Sequence, residues 1–264
     1  MEDPMTDPIR AFRDEQRASI ATYGEQTAWQ GLTREWVTEA FAQRYMYNFD
    51  WLGRPLIQFP ADIVAFQEVV WAVKPDLIIE TGIAHGGSLV LSASLLAMLD
   101  YADAVEAGTT LDPANPRRKV LGIDIDIRDH NRDELDRHPL RARIDMLQGS
   151  SVTDEMAAQV REHAAGFQRV LVSLDSNHTH EHVARELELY SPLVSPGSYC
   201  LVFDTIVEDM DAEVFPDRPW APGNSPRSAV REFLAANPDF EVDEQVSDKL
   251  LISAAPGGWL RRKG

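Results

Sequence analysis

The 264-residue chain holds a single cysteine, Cys200. One thiol closes no internal disulfide and builds no cysteine-rich metal cluster, and it fits a reducing cytosol. Basic residues are also scarce: 25 Lys and Arg stand against 43 Asp and Glu, for a formal net charge of −18. That balance excludes a nucleic-acid backbone as the main partner, because such affinity rests on Lys and Arg neutralising phosphates. It equally argues against docking on an anionic membrane leaflet. Long apolar runs are missing. The run at residues 89–99 is broken by serine and falls short of the ~20 residues of a membrane span. Residues 1–17 are polar and acidic, without the apolar centre of a targeting signal. There is no internal repeat and no low-complexity tract. These absences lead us to expect a soluble, cytoplasmic protein with no nucleic-acid or membrane partner.

The chain is 44% apolar and 26% charged, enough to bury a core. Residues 1–60 mix polar residues with aromatics (Trp29, Trp36, Phe41, Tyr45, Tyr47, Phe49, Trp51). We read them as an N-terminal helical extension of two or three helices, with an irregular segment through Gly53-Arg54-Pro55. Such a segment serves as a cap over a pocket or as a subunit contact, and a homo-oligomer is expected from it. From residue 61 to 264 the pattern becomes regular. Short continuous apolar runs at 77–79, 120–124, 144–147, 170–174 and 199–203 have the character of strands buried on both faces. Helical patterns at 62–73, 88–98, 153–165 and 182–193 separate most of them, as in βαβ units with a parallel sheet. After a helix at 229–236, the segments 240–246 and 250–254 are separated only by Ser247-Asp248-Lys249. So short a link forces an antiparallel pair. The expected fold is α/β: a doubly wound, mostly parallel sheet ending in an antiparallel hairpin.

In such sheets ligands bind beyond the carboxyl ends of the strands, so the residues that close each strand carry the functional argument. The first strand runs into Glu80-Thr81-Gly82-Ile83-Ala84-His85-Gly86-Gly87-Ser88. Its glycines permit a tight turn and close approach of a ligand, but the spacing is not the G-x-G-x-x-G of dinucleotide enzymes. An acidic residue ahead of the turn suits a cationic group such as an amine or a sulfonium; a plain strand-to-helix turn uses the same glycines. The second strand closes with Asp124, placed to accept both hydroxyls of a ribose, and the third with Gly149-Ser150-Ser151, small enough to lie beside an adenine. In order, these describe a nucleoside-containing cofactor lying across the strand ends. The fourth and fifth strands close with Asp175 and Asp204. Two carboxylates on neighbouring tips suit an octahedral Mg²⁺ that keeps waters and takes substrate oxygens; each equally suits a helix cap. His178, His180 and His182 raise the possibility of zinc, yet a metallo-β-lactamase-type site needs H-x-H-x-D-H, and the D-H pair is absent. His178, three residues after Asp175, is placed to take a proton near neutral pH.

The turn at residues 80–88, Gly122-Ile123-Asp124-Ile125-Asp126, the run 174–183, and Glu188 to Tyr190 with Pro196-Gly197-Ser198-Tyr199 together resemble the cephalosporin-hydroxylase and rhamnosyl O-methyltransferase family, over roughly residues 45–255. The resemblance implies a class I methyltransferase domain at 61–264, S-adenosylmethionine as cofactor and, as in several members, Mg²⁺. It implies cofactor contacts at Glu80, Gly82, Ala84, His85, Gly86, Ser88, Asp124, Ser150, Ser151 and Asp175, and catalytic roles for Asp175 and His178. The order of strand-closing residues is also similar to catechol O-methyltransferase, with Asp175 and Asp204 at its metal positions and Thr205 where that enzyme has an amide. Phe203 replaces an acid common in the family, so Thr205, Glu208 or water is the third ligand, and His178 stands where the catechol enzyme has a lysine base. The implied reaction is metal-dependent O-methylation of a sugar hydroxyl, that of a deoxysugar such as a nucleotide-linked rhamnose, in natural-product biosynthesis; a sugar nucleotide, a glycosylated natural product and a simple phenol all fit as the small-molecule acceptor. Residues 215–226, rich in Pro and Gly around Trp220, read as a long loop of the kind that forms lids. The alternatives are a metal-dependent oxygenase or hydrolase using the histidine run, and a catalytically silent partner of a hydroxylase.

Overall fold

The structure, a computed structural model, describes residues 7–264; residues 1–6 of the predicted extension lie outside it. Its centre is a seven-stranded sheet. Five strands are parallel: β3 (Leu77–Thr81), β4 (Lys119–Asp124), β5 (Ile144–Gln148), β6 (Val170–Leu174) and β7 (Tyr199–Val202). Two more, β8 (Phe240–Val242) and β9 (Trp259–Arg262), complete the order β5-β4-β3-β6-β7-β9-β8. Side chains alternate across the sheet as the pleat requires. Ile78, Val120, Leu171 and Leu201 join the core on one face, whereas Leu77, Ile79, Leu121, Val172 and Cys200 join the core on the other. The first face is covered by α2 (Thr27–Ala42), α3 (Pro60–Val73), α4 (Gly87–Ala107) and α5 (Asp129–Arg137). The second is covered by α6 (Asp154–Ala164), α7 (His180–Tyr190) and α8 (Pro226–Ala236). Helices on both faces remove water from the parallel strands, which is why those strands read as unbroken apolar runs.

The chain runs outward from β3 through β4 to β5, then crosses back to place β6 on the other side of β3. The strand order therefore reverses between β3 and β6, and a crevice opens there at the carboxyl ends. Register fixes what meets in it. Thr81 pairs with Leu174 and Leu174 with Val202, so the loops starting at Gly82, Asp175 and Phe203 leave the sheet at one level.

Three expectations need correction. The C-terminal antiparallel pair exists, but its second strand is β9 and not residues 250–254. The helix α9 (Glu244–Leu250) fills the supposed short link, and β9 pairs antiparallel with both β7 and β8. The segment 250–254 is apolar because it packs on the core, where Ser253 Oγ and Ala254 N donate to the buried Asp62 at 2.6 and 2.8 Å. The segment around Gly53-Arg54-Pro55 is not irregular: β1 (Phe49–Trp51) and β2 (Arg54–Leu56) form a hairpin whose turn, Leu52-Gly53, has positive φ at both positions (47° and 87°), as a two-residue hairpin loop demands. Helix α4 runs well past residue 98, for 21 residues. By length and composition it could cross a membrane, but Leu89, Val90, Ala93, Leu96 and Leu99 are buried against the sheet. Ahead of these elements lies α1 (Pro8–Tyr23), capped by the Asp7 carboxylate accepting from Ile9 N, with none of its residues buried.

Candidate active site

Asp175, His178 and Asp204 meet at the floor of the crevice, with one ligand-type atom from each within 4.8 Å of the others. Asp175 follows β6. Asp204 sits just beyond β7 in the left-handed region (φ 53°), which turns its side chain back toward β6. His178 Nε2 lies 3.1 Å from Asp204 Oδ2. The Asp175 carboxyl is held well above the ordinary carboxylate range, first by the protein packed around it and then by the negative charges of Asp204 and Glu80. Two acids forced together in this way favour a divalent cation between them, and two carboxylate oxygens with open positions are the donor set a hard cation takes. Thr205 does not join them. It is fully buried, and its hydroxyl donates to the Pro256 carbonyl at 2.9 Å. The left-handed backbone at Asp204 sends the two neighbouring side chains apart. Glu208 is likewise engaged elsewhere, accepting from Ser225 Oγ at 2.5 Å and Gly223 N at 2.9 Å.

Of the three histidines, only His178 faces the crevice. His180 contacts Ser228 Oγ (2.8 Å) and Glu232 (3.1 Å) on α8. His182 lies against Ser176 Oγ (2.9 Å), Ser151 Oγ (3.2 Å) and the buried Glu186. Both therefore tie α7 to its neighbours.

The glycine turn is built by close approach. Gly82 has φ 88°, and a Cβ there would stand 2.1 Å from the Asp175 carbonyl oxygen, so any side chain would push the turn off the loop that carries Asp175. Asp124 clasps the turn: its Oδ2 accepts from Ile83 N (2.8 Å) and Ala84 N (3.2 Å), and its Oδ1 from Asp126 N (3.0 Å). The turn's outer edge is held from the N-terminal hairpin. Arg54, 9% exposed, donates to the His85 carbonyl (2.6 and 2.9 Å) and to Asn131 Oδ1 (2.9 Å), while Asn131 Nδ2 donates to the Ala84 carbonyl (2.9 Å). Gln58 reaches farther in, its Nε2 donating to Asp175 Oδ2 at 3.0 Å. Its other amide atom, Oε1, is buried without a hydrogen-bond partner. Sequence reasoning missed Arg54, Gln58 and Asn131. For Arg54 and Gln58 the only signal was the aromatic density of residues 1–60, read as a cap over a pocket or a subunit contact; Asn131 had none.

A cavity of about 800 Å³ opens above the floor. Gly82, Ala84, His85, Ser88, Asp175, His178 and Asp204 line it, with Gln58 and Phe59 from the N-terminal segment and Phe215, Arg218 and Trp220 from the long loop. Trp220 meets His178 edge-on at 4.6 Å. The remaining predicted residues lie off this wall. Glu80, 3% exposed, accepts from Ser88 Oγ and borders a small void with Asp62 and Gln58; burial lifts its carboxyl to about 7. Gly86, in the left-handed region at the start of α4, packs on Leu135. Ser151 is 5% exposed, and its hydroxyl donates to Glu186 Oε1 at 2.6 Å. The Ser150 carbonyl accepts from Thr153 Oγ1 at 3.2 Å. Asp124 acts on the turn from behind.

Fold and site together define a class I methyltransferase: a parallel sheet with a reversed edge, a glycine turn after the first central strand, and an acidic floor at the switch point. The profile of the rhamnosyl O-methyltransferase/CmcI family matches residues 43–263; the chain belongs to this family. It is similar to the rhamnosyl O-methyltransferase of Mycobacterium leprae, 26% identical over 234 residues that make up 86% of this chain and 91% of the relative. The Mycobacterium tuberculosis rhamnosyl O-methyltransferase is 27% identical over 237 residues, 86% of this chain and 85% of the relative. Among solved structures, CmcI with Mg and SAM has a TM-score of 0.55 at 18% identity, covering 83% of this chain and 78% of its own. CalS11, a TDP-rhamnose 3′-O-methyltransferase of calicheamicin biosynthesis solved without ligand, has a TM-score of 0.50 at 17% identity, covering 89% and 94%. By membership, the chain is an S-adenosylmethionine-dependent O-methyltransferase.

Proposed function

We propose that the protein methylates a sugar hydroxyl, with S-adenosylmethionine as donor and a divalent cation, Mg²⁺, on Asp175 and Asp204, as one step in building a glycosylated natural product in the cytoplasm. The observation that carries this reading is the convergence of Asp175, His178 and Asp204 beside the Gly82 turn at the floor of a cavity large enough for a sugar. The family match and the rhamnosyl and rhamnose relatives support the sugar acceptor.

The residues divide the work by chemistry. Asp175 and Asp204 supply the oxygen donors a hard cation prefers, and Mg²⁺ there would supply positive charge for an oxygen losing its proton. An imidazole suits softer metals, which leaves His178 free to accept the proton of the acceptor hydroxyl, with its ring held by Asp204 and the edge of Trp220. The Gly82–Ser88 turn, clasped by Asp124, would hold the methyl donor beside the acceptor, and fixing the two reactants together would supply much of the rate. Asp124 shapes this cradle by holding two of its amides. Trp220 and Phe215 line the cavity on the side of the long loop, and their apolar rings would limit water beside His178. The test is calorimetry with S-adenosylmethionine followed by a methyl-transfer assay on rhamnosides with and without chelator. Binding of the cofactor, and turnover that the chelator stops, are expected; absence of cofactor binding overturns the reading.

A further inference from the structure

The cavity is charged in two zones. Its floor is acidic, but its rim carries arginines from three separate elements: Arg44 from the turn that ends α2, Arg128 from the loop after β4, and Arg218 from the long loop. Arg44 and Arg218 make no ion pair or side-chain hydrogen bond among the described residues, in a chain with 43 acids to choose from. Each guanidinium lies instead over an aromatic ring, Arg44 over Tyr47 and Arg218 over Trp220, both at 5.1 Å. A ring beneath the flat face fixes a guanidinium while leaving its edge N–H donors unused. Arg128 has only a long 3.9 Å contact with Asp126. The acids on the same wall are the floor pair and Asp217.

We infer that the rim is a phosphate subsite, and that the sugar acceptor reaches the enzyme carrying a phosphate or diphosphate at its anomeric end. This rests on the sugar-methylating reading and names the acceptor class within it. Forked N–H edges match phosphate oxygens, whereas a neutral glycoside offers them only uncharged hydroxyls. A net charge of −18 repels an anionic substrate at long range, so such a substrate is retained only where cations line the site itself. Sugar ring over the floor and phosphate at the rim place the hydroxyl at His178 and the anionic end toward solvent. A sugar 1-phosphate and a nucleoside-diphosphate sugar share this chemistry.

The test is calorimetry on the full chain, saturated with S-adenosylhomocysteine and free of divalent ions so that the floor attracts no phosphate. The probes are rhamnose 1-phosphate, thymidine diphosphate and methyl rhamnoside. Rhamnose 1-phosphate, with or without thymidine diphosphate, should bind at least about tenfold more tightly than the methyl rhamnoside, and should lose that advantage at about 0.5 M salt. Arg44→Ala with Arg218→Ala should remove it as well, while S-adenosylhomocysteine affinity, which reports the fold, stays unchanged. Rhamnose 1-phosphate alone binding tightly identifies a monophosphate sugar; thymidine diphosphate binding as well identifies a nucleotide sugar. Equal affinity for methyl rhamnoside, or a phosphate preference that survives the double substitution, overturns the subsite. Failure of S-adenosylhomocysteine itself to bind overturns the methyltransferase reading instead.

Discussion

The side-chain amide of Gln58 donates to Asp175 Oδ2 at 3.0 Å, joining residues 117 positions apart in the chain. Because Gln58 Oε1 is buried without a partner, packing and this one bond fix the amide, and the amide in turn aims one carboxylate oxygen at the floor. Gln58→Leu should weaken Mn²⁺ binding about tenfold in an electron-paramagnetic-resonance titration, the scale seen when a residue orienting a metal ligand is lost. Cofactor affinity should hold. An unchanged Mn²⁺ titration would show that Asp175 is aligned without Gln58.

Asp204→Asn keeps the shape of the floor but removes one of its two negative charges. Turnover should fall at least about a hundredfold and should not recover with excess Mg²⁺. Full activity after exhaustive chelation of the unmodified enzyme would remove both aspartates from metal duty.

Asp124 holds two amides of the turn from behind the cavity. Asp124→Ala should therefore raise the dissociation constant for S-adenosylmethionine about tenfold or more by calorimetry, with loss of order in the turn visible as faster amide exchange at Ile83 and Ala84. Unaltered affinity would assign the carboxylate a purely structural part.

His178→Ala should reduce kcat by roughly 10² to 10⁴, the range for loss of a positioned base, and change KM little. His180→Ala and His182→Ala, whose rings are engaged with α8 and with Glu186, should mainly lower stability. Normal kcat in the His178 variant would move the base elsewhere.

Burial raises the Glu80 carboxyl from an ordinary 4.5 to about 7. The folded state thus keeps a proton that the unfolded chain gives up, and stability falls as pH climbs from about 4.5 to 7. Glu80→Gln removes this drain. In urea denaturation, its stability relative to the unmodified protein should improve by on the order of 3 kcal/mol between pH 4.5 and 7.5. A pH-independent difference would mean that Glu80 titrates normally.

The parallel strands were legible because helices cover both of their faces, so each presents a continuous apolar run. The last strand was not: in β9 only Trp259 and Leu260 are apolar, followed by Arg261 and Arg262, while residues 250–254 mimic a strand because they pack on the core near Asp62. The turn Leu52-Gly53 joins strands of three residues, too short to set a period. The meeting of Asp175, His178 and Asp204 was legible because all three lie just beyond neighbouring strand ends at one edge of the sheet. Thr205 misled because adjacency in sequence says nothing of direction where the backbone turns left-handed. Arg54 and Gln58 left no trace beyond the aromatic texture around them, since their contacts are set by how the N-terminal hairpin folds over the turn and no spacing encodes that.

The grip of Ser253 and Ala254 on Asp62 spans nearly 200 residues of chain and lies directly behind the floor, and the Pro256 carbonyl holds Thr205 beside it. The floor is thus braced by a segment far away along the chain, and loosening residues 253–256 should cost turnover before it costs the sheet.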